Sequence, residues 1–349
     1  MGFCGLDEVD RLRAFIRDQW SAGHVLASSR ALLDWQHRDE AAGRYNFLLA
    51  REDSGAIVGM LGFIPTSRFD PSLAPGLETV WLTTWKVRED HAHGTGLALI
   101  RRLMASLRPT WIGTVGLNSA TAQIYRALGF RVETLTRYCL LNDAILQPRL
   151  ARIPEGLASP PAIGGEAILA ALTRDDFVSR TEAAGLNDSG QVPRKTCRAL
   201  YERYLLHPFY RYSPFLAVTN RGAAVLMVRR CSHDDASALR IVDVIAAPGV
   251  LAQCGQALKS LLVESGAEFI DFYCSGLADE MAAAGFREVP AAGELILPSH
   301  FEPLEMRNVE LPYSLFGPAG RTVICKGDAD QDRPNHLTVG GHGRPHPNL

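Results

Sequence analysis

The stretch "WKVREDHAHGTGLALI", residues 85–100, indicates the fold because a strand ends and a helix begins within it. We predict that the strand ends at Val87 and that Gly94 and Gly96 form a tight turn before a helix with apolar residues at helical spacing. Without Cβ atoms, such a turn can direct several backbone N–H groups at a pyrophosphate, next to the positive end of the helix. A purely structural turn is the alternative. The P-loop is excluded because no Gly-Lys-Ser/Thr follows, and the dinucleotide fingerprint because a third glycine is missing.

A second motif, "NSATAQIYRALGF", follows at residues 118–130, after the apolar strand pattern "WIGTVGL". It reads as a helix that begins at an N-cap, Asn118, and stops at Gly-Phe. Tyr125 places a phenol inside this helix. The phenol is either core packing or a proton donor.

Together the two motifs, in this order, resemble the GNAT superfamily of acyl-CoA N-acyltransferases. The resemblance covers residues 1 to about 140. It implies acetyl-CoA or another acyl-CoA as co-substrate, without a metal, and backbone pairing of Val87 with the pantetheine arm, close to Asn118. It also implies that Tyr125 is the general acid for the departing thiolate. The implied coenzyme site comprises Trp85, Lys86, Val87, His91, Ala92, His93, Gly94, Thr95, Gly96, Leu97 and Asn118.

One position departs from the family pattern, because His91 stands where an arginine or glutamine is usual. A neutral imidazole weakens the charge component of phosphate binding, and His93 is a candidate to compensate. The general base is open. Glu78, at the start of a long strand, is the first candidate, acting through water, although it also fits a solvated strand-end carboxylate. His37 is the other candidate.

The order of predicted elements gives an α/β fold with a mixed sheet, built as two tandem GNAT-like domains. Both halves end a strand–helix unit in Gly-Phe, at Gly129 and Gly285, preceded by loop glycines at Gly94 and Gly249. The second half has no G-x-G and no tyrosine that matches Tyr125, so it is predicted to be degenerate. We place the catalytic domain at 1–146, a Pro/Gly/Ala-rich linker at 147–166, the second domain at 167–325, and a loosely ordered polar tail at 326–349.

Aromatic, amide and imidazole groups recur where an acceptor pocket is expected, and such groups suit a sugar or a nucleotide. Several segments, namely "WQHRD…YNF", "LGFIP", "WKVRED", "HPFYRY" and "GDADQDRP", also resemble bacterial tandem GNAT proteins of cell-surface polysaccharide assembly, which implies a nucleotide-linked amino sugar as acceptor. The alternatives are a small amine, an amino acid or an antibiotic, and a CoA-binding regulatory module without catalysis. The predicted acceptor residues are Trp35, His37, Asn46, Trp81, His207, Tyr210 and Asp243.

Composition and charge narrow the remaining classes of partner, cofactor and cellular location. The formal net charge is −2 with no basic stripe, so nucleic acid is not expected as a partner. No apolar run reaches the roughly 18 residues that a membrane span requires. The seven cysteines are scattered without a CxxC pair, which predicts neither disulfides nor structural zinc and favours the cytoplasm. The oligomeric state is left open.

Overall fold

A computed structural model describes residues 1–335 apart from Pro75 and Gly164. The described chain has nine α-helices: α1 Val9–Gln19, α2 Val25–Ser28, α3 Arg30–His37, α4 Ala92–Leu107, α5 Ser119–Ala127, α6 Phe177–Ala183, α7 Cys197–Leu200, α8 Gly255–Ser265 and α9 Ala278–Ala283. None of these helices is both long and apolar enough to cross a membrane.

The strands of the described chain fall into a first and a second half. The first half contains β1 Gly2–Gly5, β2 Arg38–Asp39, β3 Arg44–Arg51, β4 Ile57–Pro65, β5 Thr79–Val87, β6 Trp111–Val115 and β7 Arg131–Leu141. The second half contains β8 Ile168–Ala171, β9 Gln191–Val192, β10 Ser213–Thr219, β11 Gly222–His233, β12 Ala236–Ala246, β13 Phe269–Ser275, β14 Arg287–Glu288, β15 His300–Phe301, β16 Leu304–Glu305, β17 Leu311–Phe316, β18 Arg321–Thr322 and β19 Ile324–Cys325.

One mixed sheet runs through both halves, in the order β1-β3-β4-β5-β6-β17-β7-β13-β12-β11-β10-β8. Within it β5 pairs parallel with β6, and β12 pairs parallel with β13. Each parallel pair is joined by a crossover helix, α4 in the first half and α8 in the second, as parallel neighbours require. This repeated unit agrees with the α/β mixed sheet expected from the sequence.

The two halves exchange strands in the middle of the sheet. The first part of β7 pairs with β17, whose other edge pairs with β6, so a strand near residue 311 completes the first half. The second part of β7 pairs with β13, and β14 lies on its other edge. The sheet therefore does not divide at the predicted linker, residues 147–166, although each half keeps its own parallel pair.

Local sequence explains the two helices that flank β6. In α4 the buried residues Leu99, Ile100 and Leu103 face the sheet, and they pack in one cluster with Tyr125 and Phe130. In α5 the Asn118 side chain accepts from the Thr121 N–H at 2.8 Å, and the Thr121 hydroxyl oxygen accepts from the Asn118 N–H at 3.2 Å. This reciprocal cap fixes the start of α5. Helix α4 and the ring of Tyr125 therefore lie on the same face of the sheet.

The predicted polar tail is partly wrong, because its first residues are packed. Lys326, Asp328 and Ala329 are buried, and Asp332 makes an ion pair with Arg229 at 2.8 Å. The polar, Gly/Pro-rich composition predicted a loosely ordered tail, but the buried cations of the second half supply partners for these carboxylates. Residues 336–349 lie outside the described residues.

Candidate active site

Strand β5 separates from β6 after a short parallel pairing. The register runs from Thr79 opposite Trp111 to Trp81 opposite Gly113 and then stops. Between Leu61 and Phe63, β4 has one residue, Gly62, where β5 has two, Thr83 and Thr84. This β-bulge bends β5 away from β6.

A glycine is required at the bulge, because a Cβ on Gly62 would lie 2.8 Å from the Phe47 ring and from the Thr83 hydroxyl. Beyond Trp81, no described strand pairs with β5 on the β6 side. The backbone of residues 82–87 therefore offers hydrogen-bonding groups along an open cleft.

The cleft leads to the turn that opens α4. His93 has ψ 101° and Gly94 has φ +81°, so the regular helix begins at Thr95. A positive φ at Gly94 disfavours any side chain, although a Cβ there would meet nothing within 4 Å. At Gly96 a Cβ would lie 2.7 Å from Cζ2 of Trp85, so this glycine brings the helix against the strand. Gly94 therefore allows the turn, and Gly96 allows the close contact between helix and strand.

Tyr125 lies where this cleft and the helices meet. Its ring is only 2% exposed and stands edge-on to Trp85, with ring centroids 6.1 Å apart, and to Phe130 at 5.0 Å. Burial raises the pKa of the phenol, which therefore keeps its proton throughout the physiological range. Within the described chain, its hydroxyl makes no hydrogen bond. The group is a protonated donor without an internal acceptor.

Acidic groups surround His91, the N-cap of α4. Its Nδ1 lies 2.9 Å from Asp90 at an angle that makes no hydrogen bond, and its Nε2 lies 3.8 Å from Glu52. Arg88 pairs with Asp90 at 2.5 Å and holds the pKa of that carboxyl well below its usual range. The side chain of His93 is exposed. The turn therefore offers backbone donors, while Arg88 is the cation at its edge.

Glu78 precedes β5 and accepts a hydrogen bond from the Ser67 hydroxyl. In an extended strand, with about 3.3 Å per residue, it lies about 10 Å from Trp81 and about 23 Å from Trp85. It is therefore at the far end of β5 from Tyr125. Its role as a base stays a prediction, at the end of the strand that carries Trp81.

Two of the predicted acceptor residues lie in the core of the first half. His37 has both ring nitrogens engaged, Nδ1 with the Phe63 carbonyl at 3.1 Å and Nε2 with Gln36 at 3.0 Å. Burial lowers its pKa to about 3, so the imidazole is neutral. Asn46 is fully buried, and its side-chain amide has no partner among the described residues. Neither residue lines the cleft between the two halves of the chain.

The two halves enclose a cleft on the sheet face opposite to α4. Trp81 lies in it because alternate side chains of β5 point to opposite faces, Leu82 toward Tyr125 and Trp81 away. The space encloses about 420 Å³, including the part open to solvent. Its lining includes Ile64, Phe69, Trp81, Arg194, Arg203 and Asp243.

A second chamber of about 310 Å³ continues the cleft and shares Ile64, Phe69 and Arg203 with the first. Here Trp35 and His207 meet with ring centroids 4.4 Å apart. His207 Nδ1 accepts from two backbone N–H groups, which leaves the proton on Nε2, and this nitrogen has no partner in the described chain. Tyr210 stacks on His207 at 5.3 Å but does not line the chamber. The structure thus brings Trp35, Trp81, His207 and Asp243 to one cleft.

The sequence did not predict the charged residues of this cleft other than Asp243, and two of them, Lys195 and Asp328, form a buried ion pair. Lys195 Nζ lies 2.5 Å from Asp243 Oδ1 and 2.9 Å from Asp328 Oδ2. Burial raises the pKa of Asp328 to about 6. Cys325 offers a third atom within 4.8 Å of both carboxylates, but the Lys195 ammonium already occupies the position a cation would take. No pattern marked Lys195, and Asp328 fell in the predicted tail.

The corresponding cleft of the second half is filled by the chain itself. Strand β12 pairs with β13 only from Leu239 to Ile241 and then separates. Beyond Ile241, the backbone of β12 pairs with other parts of the chain. The side-chain amide of Gln191 donates to the Val244 carbonyl and accepts from the Ala246 N–H, and the Gly327 N–H donates to the Val242 carbonyl at 2.9 Å. Met281 takes the position of Tyr125, four residues before the glycine of Gly-Phe. Among the described residues, no open strand edge remains here for a pantetheine arm.

The architecture is similar to that of several solved structures. A GCN5-related N-acetyltransferase from Anabaena variabilis ATCC 29413 is similar over 90% of this chain and 71% of its own, with a TM-score of 0.51 at 11% identity. A GCN5-related N-acetyltransferase from Kribbella flavida gives 0.50 at 17% identity, over 89% of this chain and 68% of its own. A probable N-acyltransferase from Enterococcus faecalis V583 gives 0.51 at 10% identity, over 89% and 71%. No protein-family model and no curated protein matches the chain. The splayed strand, the glycine turn and these similarities lead to one conclusion: the chain has the fold of the GCN5-related N-acetyltransferases.

Proposed function

We propose that the protein transfers an acyl group, in the first instance acetyl, from acyl-CoA to the primary amine of an acceptor. The observation that carries the proposal is the open edge of β5. Residues 82–87 run from a bulge to a turn with Gly94 at φ +81°, with the protonated Tyr125 beside them. Acyl transfer from a CoA thioester needs three parts: an unpaired strand edge for the pantetheine arm, a cluster of backbone N–H groups for the pyrophosphate, and an acid for the departing thiolate.

Each part has a chemical task. The backbone of β5, through Val87, pairs with the amides of the pantetheine arm, and the amides of residues 92–97 bind the pyrophosphate. Donors near the bulge stabilise the oxyanion that forms when the amine attacks the thioester. Tyr125 then protonates the thiolate that leaves. Glu78 is the proposed base, which takes the amine proton through water at the Trp81 end of the strand.

For the acceptor we propose the amine of a nucleotide-linked amino sugar for surface polysaccharide. The cleft between the halves supports this choice by its chemistry. Phe69 and Trp81 offer faces for a sugar or base, while Arg194 and Arg203 suit phosphates. The buried N–H groups of Trp35 and His207 have no acceptor in the described chain, so sugar or phosphate oxygens would satisfy them.

A small amine is the second candidate, and a different observation favours it. The Asp243 and Asp328 carboxylates share only one buried ammonium, that of Lys195, in a chamber of about 420 Å³. These two carboxylates suit a cationic amine, whereas Arg194 and Arg203 on the same lining suit phosphates. We propose no catalysis for the second half, whose own cleft is filled and whose surface forms one wall of the acceptor site.

A free-thiol assay with acetyl-CoA tests the proposal. The acceptor panel has two arms, nucleotide-linked amino sugars and small amines including amino acids and aminoglycosides. Acceptor-dependent thiol release supports the reaction, and the arm that responds selects the acceptor class. Glu78→Gln tests the base in the same assay. If calorimetry finds no binding of acetyl-CoA, the proposal fails at its first step.

A further inference from the structure

A polar cavity lies in the second half, away from β5 and its cleft. It spans about 280 Å³, including the part open to solvent, and shares only Asp332 and Arg333 with the acceptor chamber. Side chains of opposite charge line it, and most of them are buried. Those that matter here are Arg229, Arg240, His300, Lys326 and Asp332.

Lys326 is the unusual member. It is 3% exposed, and its ammonium makes no hydrogen bond or ion pair with any described residue. Its nearest aromatic contact is the ring of Tyr273, with the centroid 5.5 Å from Nζ. A buried ammonium without a counter-ion is costly, so this amine either loses its proton or takes a negative charge as partner.

The neighbouring ion pairs do not provide that balance. One carboxylate, Asp271, is shared by two guanidinium groups: Arg240 donates to both of its oxygens, and Arg137 lies 2.5 Å from Oδ2. Arg229 pairs with Asp332 through two hydrogen bonds of 3.1 and 2.8 Å. With Lys326, four cations face two carboxylates.

The other groups around the cavity add one carboxylate, Glu302, and no unpaired cation. Arg333 and Asp330 pair with each other at 3.2 Å. Glu302 is exposed to solvent at the rim. Burial lowers the pKa of His300 to about 4, and burial raises the pKa of Tyr210, so both rings are neutral. The cluster therefore carries an excess of positive charge.

We propose that this cavity is a binding site for a small oxyanion, a phosphate or carboxylate group, which accepts a hydrogen bond from the Lys326 ammonium. Arg229 and Arg240 contribute their field, since their own donors are already engaged with carboxylates. The site is separate from the acyl-CoA cleft, and Asp332 and Arg333 are its boundary with the acceptor chamber.

The protonation of Lys326 should depend on whether an oxyanion is bound. Burial, followed by the charge of Arg240, lowers the pKa of this amine to about 7. A bound oxyanion favours the ammonium form and raises that pKa again. Phosphate binding is therefore expected to take up protons near neutral pH and to weaken as the pH rises to 9.

Thermal unfolding with inorganic phosphate tests the site, at constant ionic strength set with chloride. At a phosphate concentration about ten times its Kd, the midpoint of the wild-type protein should rise by about 2 °C. Lys326→Met should abolish this rise. It should also raise the midpoint without phosphate, because it removes an uncompensated buried charge. Lys259→Met, a half-buried lysine bonded to the Pro160 carbonyl, is the matched control and should respond like wild type.

Acetate and citrate form the second arm. A rise with phosphate or with carboxylates that is lost in Lys326→Met supports the site and identifies its anion. No rise with either anion, or a rise that survives the substitution, overturns the proposal.

Should Lys326→Met not fold, wild-type protein decides the question by amine labelling with acetic anhydride and peptide mapping. Saturating phosphate should slow labelling of Lys326 at least tenfold while Lys259 is unaffected. Equal rates for Lys326 with and without phosphate or carboxylate reject the site.

Discussion

Gly96 and Trp85 approach so closely that a Cβ on the glycine would lie 2.7 Å from Cζ2 of the indole. The helix that follows the glycine turn thus lies directly against the strand proposed to pair with pantetheine. The spacing between turn and strand depends on the absence of one methyl group.

Gly96→Ala should therefore destabilise the protein by about 1–3 kcal/mol through overpacking. The measurement is the free energy of unfolding in urea. In a Trp85→Leu background the same substitution should cost much less, because the smaller side chain leaves room. Additive effects in this double-mutant cycle would mean that the two groups do not clash.

Gly94→Ala separates backbone geometry from packing. Its φ is +81°, and a Cβ there meets nothing within 4 Å, so the substitution costs about 1–2 kcal/mol of left-handed strain alone. We expect weaker acetyl-CoA binding by calorimetry because the amides of the turn shift. Gly43→Ala is the matched control, with φ +62° and equal space in a turn before β3. Equal acetyl-CoA affinity in both variants would remove the turn from the coenzyme site.

Tyr125→Phe should lower kcat about 100-fold with little change in KM, as expected for loss of a general acid. Stability should be unaffected, because the hydroxyl has no hydrogen-bonding partner in the described chain. Tyr138→Phe, another buried ring, should retain activity. Unchanged turnover of Tyr125→Phe at saturating acyl-CoA would show that the ring serves core packing and is not the acid.

Asp328 should give stability an unusual pH dependence. Burial raises its pKa from 3.8 to about 6 in the folded protein, so the folded state holds this proton more tightly than the unfolded chain. Its contribution is complete below about pH 4 and is lost as the pH rises through 6, by about 3 kcal/mol in total. Urea unfolding of wild type and Asp328→Asn at pH 4 to 7 isolates the effect by difference. A difference that does not vary with pH would contradict it.

One acetyl-CoA should bind per chain. The separated part of β12 is paired with Gln191 and Gly327, so of the two separated strands only β5 has an open edge among the described residues. Isothermal titration gives the stoichiometry directly. Two equivalents would show that the segment around Gly327 leaves its place to admit a second coenzyme.

The sequence predicted the parts of the site that depend on neighbouring residues. Gly94 and Asn118 carry local signals, a positive φ and a helix cap, and both were placed in their elements correctly. The pair formed by Lys195 and Asp328 was missed because its members are more than a hundred residues apart and meet only through the fold. His37 looked available beside aromatic residues, but burial against the Phe63 carbonyl depends on β4, which a local pattern does not reveal.

The exchange of strands in the sheet has a consequence for biosynthesis. Strand β6 has β17 as its neighbour, and β17 begins about 200 residues later in the chain. While the ribosome is still making the second half, the first half exposes an incomplete edge on β6, the strand from which β5 separates. The proposed coenzyme site therefore acquires its final support only after residues 311–316 have left the exit tunnel, and a nascent chain shorter than that should not yet hold acyl-CoA.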